Sequence, residues 1–243
     1  MTNPLFFTRL TLKRDGESVA PLLSVLQPEE DAKRLSVEHK LLWTVMPESV
    51  RRAGSGNSAA FLWRRLDAQG CFYVLGPEPA ADSPFFRIES KPFVPAFTPG
   101  QRLAFDLRLN ATVDRKTGIG ADGKALRKRC DVAMDLMQRK EREGRMQRGE
   151  RAARREALAQ EAAAEWLSSR AEAAGFALEA LTLGGYRAER IDRGKGRPGT
   201  IGVFDLKGLV SITDPTAFLD RLTTGFGRAK AFGCGLMLVR PAP

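Results

Sequence analysis

Hydrophobic and polar positions follow two different periods along the chain. Alternation in the segments 5–12, 102–110 and 200–213 predicts β-strands, because successive side chains of a strand point to opposite faces. The segment 27–47 instead has apolar residues spaced three and four apart, which is typical of a helix with one buried face. A proline stands near each end of that segment, and three acidic residues follow the first proline, as expected where a helix begins. The pattern therefore predicts a chain that mixes helices and strands.

The order of the predicted elements is nearly the same in both halves. The first half gives a strand, a helix, a hairpin at 59–76, a strand at 85–90 and an irregular piece. The second half gives the order β-α-β-β-α-β of a ferredoxin-like fold. Its elements after the first strand are a helix at 151–175, strands at 176–191 and 200–213, a short helix at 214–225 and a strand at 235–240.

This repeat predicts an α+β fold class with two tandem ferredoxin-like (RRM-like, RAMP-type) domains. The segment 91–100 has three prolines and a glycine and is the best candidate for a linker. We therefore expect one domain at 1–92 and a second at 100–243. Such sheets often bind single-stranded RNA through exposed aromatic residues, but the chain has no RNP-type aromatic motif, so binding through the sheet face is not indicated.

The net charge of the chain favours a polyanionic binding partner. The formal net charge is +10 and the isoelectric point is about 9.9, which favours nucleic acid first and an anionic membrane second. Between Lys124 and Arg155 there are 12 basic and 5 acidic residues. That stretch has the composition of a solvated helix face, except for the segment 123–130, which has no acidic residue.

Hydropathy and cysteine usage indicate the cellular compartment of the protein. No apolar run approaches the ~20 residues of a transmembrane helix, and the start of the sequence lacks the pattern of a signal peptide. The three cysteines are far apart and odd in number, which fits free thiols in a reducing cytoplasm rather than a disulfide framework.

A glycine-rich segment, GFGRAKAFGCG at 225–235, precedes the last predicted strand. One interpretation is a helix stop at Gly225 followed by tight packing of that strand. The other is a loop that binds phosphate through its backbone and the cations Arg228 and Lys230. On these eleven residues alone, the packing interpretation is favoured, because short glycine-rich matches are weak evidence.

His39, the only histidine, lies on the predicted helix at 27–47. It shares a face with Leu35 and Leu42 at helical spacing, which on its own favours a structural role. An imidazole is also the side chain best suited to move protons near neutral pH. RNA carries its own nucleophile in the 2′-OH, so one imidazole and a few cations are enough for its cleavage in principle.

Metal and nucleotide chemistry have little support. Asp131 and Asp135 are four residues apart and share a face of a helix if one forms there, but no further carboxylate or histidine falls at ligand spacing. No Walker-type glycine-lysine motif is present. We therefore expect neither a metal nor another cofactor.

Four segments of the chain carry a family resemblance: LSVEHKLLWTVMP (35–47), LRLNATV (107–113), KRCDVAMDL (128–136) and GFGRAKAFGCGLMLV (225–239). In this order they resemble the CasE family, the CRISPR repeat-processing endoribonucleases of the type I-E Cascade complex. The resemblance implies an enzyme that cleaves CRISPR precursor RNA at the base of the repeat hairpin, needs no metal and stays bound to its product with the other Cascade subunits. It also implies that His39 is catalytic. Some relatives have a tyrosine three residues earlier, where this chain has Ser36.

The candidate RNA-binding residues fall in three groups. In the family, the glycine-rich segment lies beside the RNA backbone, which brings Gly227, Arg228 and Lys230 into the site. The second group lies in a basic segment ahead of the helix of the second half. The third group lies in a basic, glycine-rich turn at 192–199, a composition equally typical of a plain solvent-exposed turn. The residues of these two groups are Lys124, Arg127, Lys128 and Arg129, and Lys195 and Arg197.

Two rival functions stay open at the level of the sequence. The chain is either a non-catalytic RNA-binding scaffold subunit of the same complex, or a basic RNA-binding protein unrelated to CRISPR. The expected partners of the leading hypothesis are the repeat hairpin RNA and other Cascade subunits, without a membrane. The stretch at 138–160 is more arginine-rich than expected for the family, and no role is assigned to it.

Overall fold

The computed structural model describes residues 4–14, 23–26, 28, 31–53, 59–119, 123–191 and 199–242. The described residues divide between two compact units that are each discontinuous in sequence. The first comprises Met1–Phe97, Glu189–Ile201 and Leu219–Met237, and the second comprises Thr98–Ala188, Gly202–Phe218 and Leu238–Pro243. The glycine-rich segment thus belongs to the same unit as His39. The domain bounds 1–92 and 100–243, as independently folding units, stay a prediction.

The first unit contains a four-stranded sheet in the order β2-β3-β1-β4, with antiparallel neighbours. This is the ferredoxin-like strand order, and the predicted hairpin is confirmed as β2 and β3. The segment 77–85, between β3 and β4, has no helix. The elements are β1 (Phe6–Leu12), α1 (Leu23–Leu26), α2 (Asp31–Trp43), α3 (Glu48–Ala53), β2 (Leu62–Arg65), β3 (Cys71–Gly76) and β4 (Phe86–Pro92).

One face of this sheet and helix α2 together form the core of the first unit. Leu10, Phe72 and Phe86 of the sheet pack in one apolar cluster with Leu42 of the helix, all at most 2% exposed. Alternate residues of β1 and β3 therefore point away from α2, to the opposite face of the sheet. The predicted helix at 27–47 is shorter in the structure, because a turn replaces its last residues before Pro47.

The second unit is built on a four-stranded sheet in the order β10-β5-β9-β8. This order, with a helix before β8 and another before β10, confirms the second ferredoxin-like fold. Helix α6 begins after Asp214, whose carboxylate accepts hydrogen bonds from the backbone N–H groups of Thr216 (2.9 Å) and Ala217 (3.1 Å). The elements are β5 (Arg102–Leu109), α5 (Arg151–Ala171), β8 (Phe176–Ile191), β9 (Gly199–Ile212), α6 (Pro215–Thr224) and β10 (Met237–Pro241). The end of β8 from Glu189, the start of β9 up to Ile201, the second half of α6 from Leu219 and Met237 of β10 belong to the first unit.

An insertion between β5 and α5 was not predicted from the sequence. It consists of a two-stranded ribbon, β6 (Thr112–Ile119) and β7 (Ala125–Asp131), followed by helix α4 (Val132–Arg142). The ribbon escaped prediction because most of its side chains are exposed on both faces, so no alternation marks it.

The described part of the chain contains no helix that is long and apolar enough to cross a membrane. Cys71, Cys130 and Cys234 are free thiols in the structure.

Candidate active site

Helix α2 places His39 one turn before its C-terminal end, where the imidazole is partly exposed. The indole Nε1 of Trp43 donates a hydrogen bond of 3.2 Å to Nε2 of His39. The two residues are four apart and therefore lie on the same face of the helix. Because an indole nitrogen can only donate, Nε2 must carry a lone pair, so the imidazole is neutral with its proton on Nδ1.

Aromatic rings surround the imidazole on the side of the core. The ring of Trp63, from β2, lies nearly parallel to it, with an interplanar angle of 12° and centroids 6.4 Å apart. Phe61 lies 5.7 Å away and also contacts Trp43. This burial lowers the pKa of His39 below the usual value of 6.5, because the imidazolium loses water there. His39 is therefore a neutral, partly accessible base at neutral pH.

The glycine-rich segment folds into a compact loop after helix α6. Gly225, Gly227, Gly233 and Gly235 all have φ between +67° and +95°, a region that favours glycine, and Ala229 also lies there at +56°. The backbone N–H of Phe226 donates to the carbonyl of Gly235 (2.9 Å), which closes the loop.

The loop packs directly on the strand and the helix that hold His39. A Cβ added at Gly225 would lie 2.7 Å from a methyl carbon of Leu62, and one added at Gly233 would lie 3.3 Å from the ring of Trp63. The 3-10 turn Lys230–Phe232 contacts both α2 and β2. Close packing explains these two glycines, and the same packing brings the loop beside the aromatic surroundings of His39.

The two cations of the loop have different environments. Arg228 is exposed to solvent. Lys230 is partly buried, and its ammonium group donates to the carbonyl of Thr224, the last residue of α6. Burial lowers the pKa of Lys230, and the nearby Arg221 lowers it further. Lys230 therefore caps a helix end with part of its hydrogen-bonding capacity, whereas the guanidinium of Arg228 faces solvent beside the loop backbone at Gly227.

A buried ion pair fixes helix α2 to the sheet next to His39. Glu38 is 1% exposed and accepts a hydrogen bond from Arg65. Arg65 also donates to the carbonyls of Asp67 and Ala68 in the turn between β2 and β3. Ser36 lies one turn before His39 and is partly exposed, at the position where some relatives have a tyrosine.

The basic segment of the second unit lies on the ribbon. The predicted phosphate-binding residues Lys124, Arg127, Lys128 and Arg129 are all exposed, three of them on β7 and Lys124 just before it. Arg129 donates to Asp114 on the neighbouring strand (3.2 Å). Lys195 and Arg197, the other predicted pair, lie outside the described residues.

A match to a family model covers nearly the whole chain. The model is that of the CRISPR associated protein family, and it matches residues 5–241. The chain belongs to this family. The match confirms the family resemblance that the four sequence motifs indicated.

Solved structures with a similar fold include the following three. Cse3 of Thermus thermophilus, bound to an RNA representing a pre-cleavage complex, is 22% identical with a TM-score of 0.60, and the match covers 98% of this chain and 100% of that one. Cas6e of Escherichia coli K-12 is 20% identical with a TM-score of 0.59, over 98% and 100% of the two chains. A chain of a CRISPR RNA-guided surveillance complex, pre-nicking, is 15% identical with a TM-score of 0.57, over the same shares. A search of curated proteins found no match.

The two aspartates of this CRISPR-associated protein that were considered as metal ligands have other partners. Asp131 caps the N-terminus of α4 and accepts a hydrogen bond from Tyr186 (2.8 Å). Burial raises the pKa of Asp131. Asp135 pairs with both ends of the Arg115 guanidinium, at 3.0 and 2.6 Å, and that bond lowers its pKa. Within the described residues, no group of three or more His, Cys, Asp or Glu side chains could hold a metal ion.

The sequence made His39 a candidate but did not indicate its immediate partners. Trp43 follows His39 by four residues in the segment LSVEHKLLWTVMP. The spacing of four residues was the available signal, since it puts the indole and the imidazole on one helical face. Nothing in the sequence indicated that the glycine-rich segment, almost 200 residues later, packs on the same strand as these rings.

Proposed function

We propose that this protein is an endoribonuclease that cleaves CRISPR precursor RNA at the base of the repeat hairpin. Membership of the CRISPR-associated family and the two ferredoxin-like folds support an RNA partner of this class. The single observation that carries the catalytic part is the position of His39. It is a neutral, partly exposed imidazole next to a loop that carries an exposed arginine.

The reaction needs no group beyond those of the RNA and the protein. The 2′-OH attacks the adjacent phosphorus, the bond to the 5′-oxygen of the next nucleotide breaks and that oxygen takes a proton from water, so that a 2′,3′-cyclic phosphate and a 5′-OH result. His39 accepts the proton of the 2′-OH on Nε2, the nitrogen that holds the lone pair. For this, the RNA hydroxyl must take the place of the Trp43 N–H as the partner of Nε2.

In this proposal, cations stabilise the negative charge that develops on the non-bridging phosphate oxygens. Arg228 is the best candidate, because it is exposed and stands in the loop that packs beside the histidine, with Gly227 next to it. Lys230 contributes less in this proposal, since its ammonium group already donates to Thr224. The ribbon residues Lys124, Arg127, Lys128 and Arg129 bind phosphates of the hairpin, and Lys195 and Arg197 are retained as candidates for the same role.

The product stays bound and joins Cascade in this proposal. Structures of similar fold include an endoribonuclease bound to RNA and a CRISPR RNA-guided surveillance complex, and the net charge of +10 suits lasting contact with RNA. The cytoplasm is the corresponding compartment.

Mapping the products in the presence of a chelator tests the function. Pure protein is incubated with its own repeat RNA in excess EDTA, and both new ends are identified by mass spectrometry. We expect one cut at the base of the hairpin, with a cyclic or 3′-phosphate and a 5′-OH. A requirement for magnesium or a 5′-phosphate on the downstream fragment would contradict the mechanism, and binding without a cut would favour the non-catalytic scaffold.

A further inference from the structure

Three aromatic rings lie side by side on the face of the first sheet that points away from helix α2. Phe7 of β1 stands next to Tyr73 of β3, with ring centroids 5.0 Å apart, and next to Phe93 just after β4, at 6.3 Å. The three residues are far apart in sequence and meet only through the pairing of β1 with both of its neighbours. We refer to Phe7, Tyr73 and Phe93 as the aromatic strip.

The aromatic strip is partly accessible and has basic neighbours. All three rings are partly exposed. Arg9 and Glu89 lie opposite each other on the same face, and their side chains are 52% and 55% exposed. Arg87 and Lys91, both exposed, pair with Thr11 and Phe7 across β1 and β4 and so lie on this face as well.

The other edge of this face is closed by the glycine-rich loop. Leu62 of β2 lies on the same face, since it pairs with Leu75, and its methyl groups contact Gly225. Both leucines are at most 3% exposed. The accessible area therefore lies over β1, β4 and the ring of Tyr73, where the three rings and the cations lie, and it extends to Arg64 of β2, which pairs with Tyr73 and is partly exposed.

We propose that the aromatic strip binds a single-stranded segment of RNA that adjoins the hairpin, with bases stacked on the rings. The proposal rests on the proposed function for the presence of that RNA. Aromatic side chains on the central strands of a ferredoxin-like sheet stack on unpaired bases, and flanking cations hold the backbone. Arg9, Arg87 and Lys91 supply those cations around the single carboxylate of Glu89.

The chemistry of the face favours unpaired RNA over other occupants. A base-paired stem hides its base faces in its own stack and cannot use the rings. An acidic protein segment would suit the cations, but its acidic side chains have no flat ring to stack on the three adjoining rings. A single strand uses both, because each nucleotide has one flat base and one phosphate.

Binding measurements on two RNAs test this proposal. One is the repeat hairpin alone, and the other carries an unpaired extension of about eight nucleotides, placed at the 5′ or the 3′ end and containing 2-aminopurine. We expect the wild-type protein to bind one of the extended RNAs more tightly than the hairpin alone and to quench the fluorescent base.

Leucine replacements remove stacking while keeping an apolar side chain. The double variant Phe7→Leu, Tyr73→Leu is expected to bind the extended RNA roughly 5- to 100-fold more weakly, with unchanged affinity for the hairpin alone. Tyr73→Phe keeps the ring and should bind like the wild type. Phe85→Leu is the matched control, since Phe85 packs on the core of the same unit, and melting temperatures of all variants verify that they fold.

The outcomes separate this proposal from the function on which it rests. A wild-type protein that gains no affinity from either extension, or a folded leucine variant that keeps the whole gain, would overturn the aromatic strip as an RNA site. Loss of assembly with other Cascade subunits in a variant that keeps the gain would make the face a protein-binding surface, which also contradicts the proposal. Failure of the wild type to cleave the hairpin would refute the endoribonuclease function, whatever the extension does.

Discussion

At the scale of single residues, two features keep the imidazole of His39 neutral. Burial against Trp63 and Phe61 penalises the charged form, and the Trp43 N–H donates to a lone pair that only the neutral ring possesses. A histidine on an apolar helix face is ordinarily a structural residue. The partial exposure of this one is what leaves it available for proton transfer.

The pH dependence of cleavage tests these surroundings. Because the base must be neutral, the rate falls as the pH drops through the pKa of His39, and burial puts that pKa below 6.5. Trp43→Phe removes the N–H donor that stabilises the neutral form, so the pKa should rise and the acid limb of the pH–rate profile should move to higher pH.

Trp166→Phe is the matched control for this change. The Trp166 indole donates to the carbonyl of Thr112, in the second unit, and its removal should leave the profile in place. Single-turnover rates between pH 5 and 8 measure both variants, with the pH range chosen around the ordinary value for histidine. An acid limb that does not move in Trp43→Phe would mean that another group sets the pH dependence.

At the scale of elements, the glycine-rich loop explains why four glycines precede the last strand. Their positive φ angles close the loop, and the lack of side chains at Gly225 and Gly233 lets it lie on Leu62 and Trp63. The packing interpretation and the proposed phosphate-binding role are therefore compatible, because packing holds the loop that carries Arg228 against the helix that carries His39. The sequence could predict the helix stop at Gly225 from local rules, but not the strand on which the loop packs.

Replacing glycine by alanine at two sites separates backbone strain from packing in this loop. Gly225 and Gly100 have nearly the same φ, +79° and +78°, but only Gly225 has close neighbours, since nothing lies within 4 Å of a Cβ at Gly100. Gly100→Ala should lower the free energy of unfolding by about 1 kcal/mol through strain alone. Gly225→Ala should cost about 1–3 kcal/mol more through overpacking against Leu62.

Urea denaturation of the two alanine variants measures this difference. The loop would not pack on β2 as described if both variants lost the same stability. We also expect Gly225→Ala to slow cleavage, because displacement of the loop moves Arg228.

The salt dependence of RNA affinity tests the two cations of the loop. Arg228→Ala should reduce the slope of log affinity against log salt by about 0.7 to 0.9, the value for one lost phosphate contact. Lys230→Met should change the slope less, because its ammonium group is partly used by Thr224. Arg240→Ala, which removes an exposed cation from β10, is the control. An unchanged slope in Arg228→Ala would mean that the loop has a purely structural role.

At the scale of the whole molecule, the sequence predicted those elements whose side chains are buried in a regular pattern. Strands with one buried face alternate clearly, so both sheets and their ferredoxin-like order could be predicted. The ribbon β6–β7 could not, because side chains such as Lys116 and Arg127 are exposed whichever way they point. The aromatic strip was missed for a different reason: Phe7 and Tyr73 meet through strand register, and no local motif marks residues that lie 66 positions apart.

Single-turnover cleavage of the repeat hairpin by His39→Ala tests directly whether His39 is catalytic. RNA affinity and melting temperature are determined on the same preparation. His39→Gln keeps more of the side-chain volume in case the alanine variant is unstable. Leu35→Ala controls for truncation of a partly buried residue on the same helix. We predict a rate lower by about 10²- to 10⁴-fold in both His39 variants, with nearly unchanged affinity and a modest drop in melting temperature. Cleavage at close to the wild-type rate by a folded His39 variant would contradict the account.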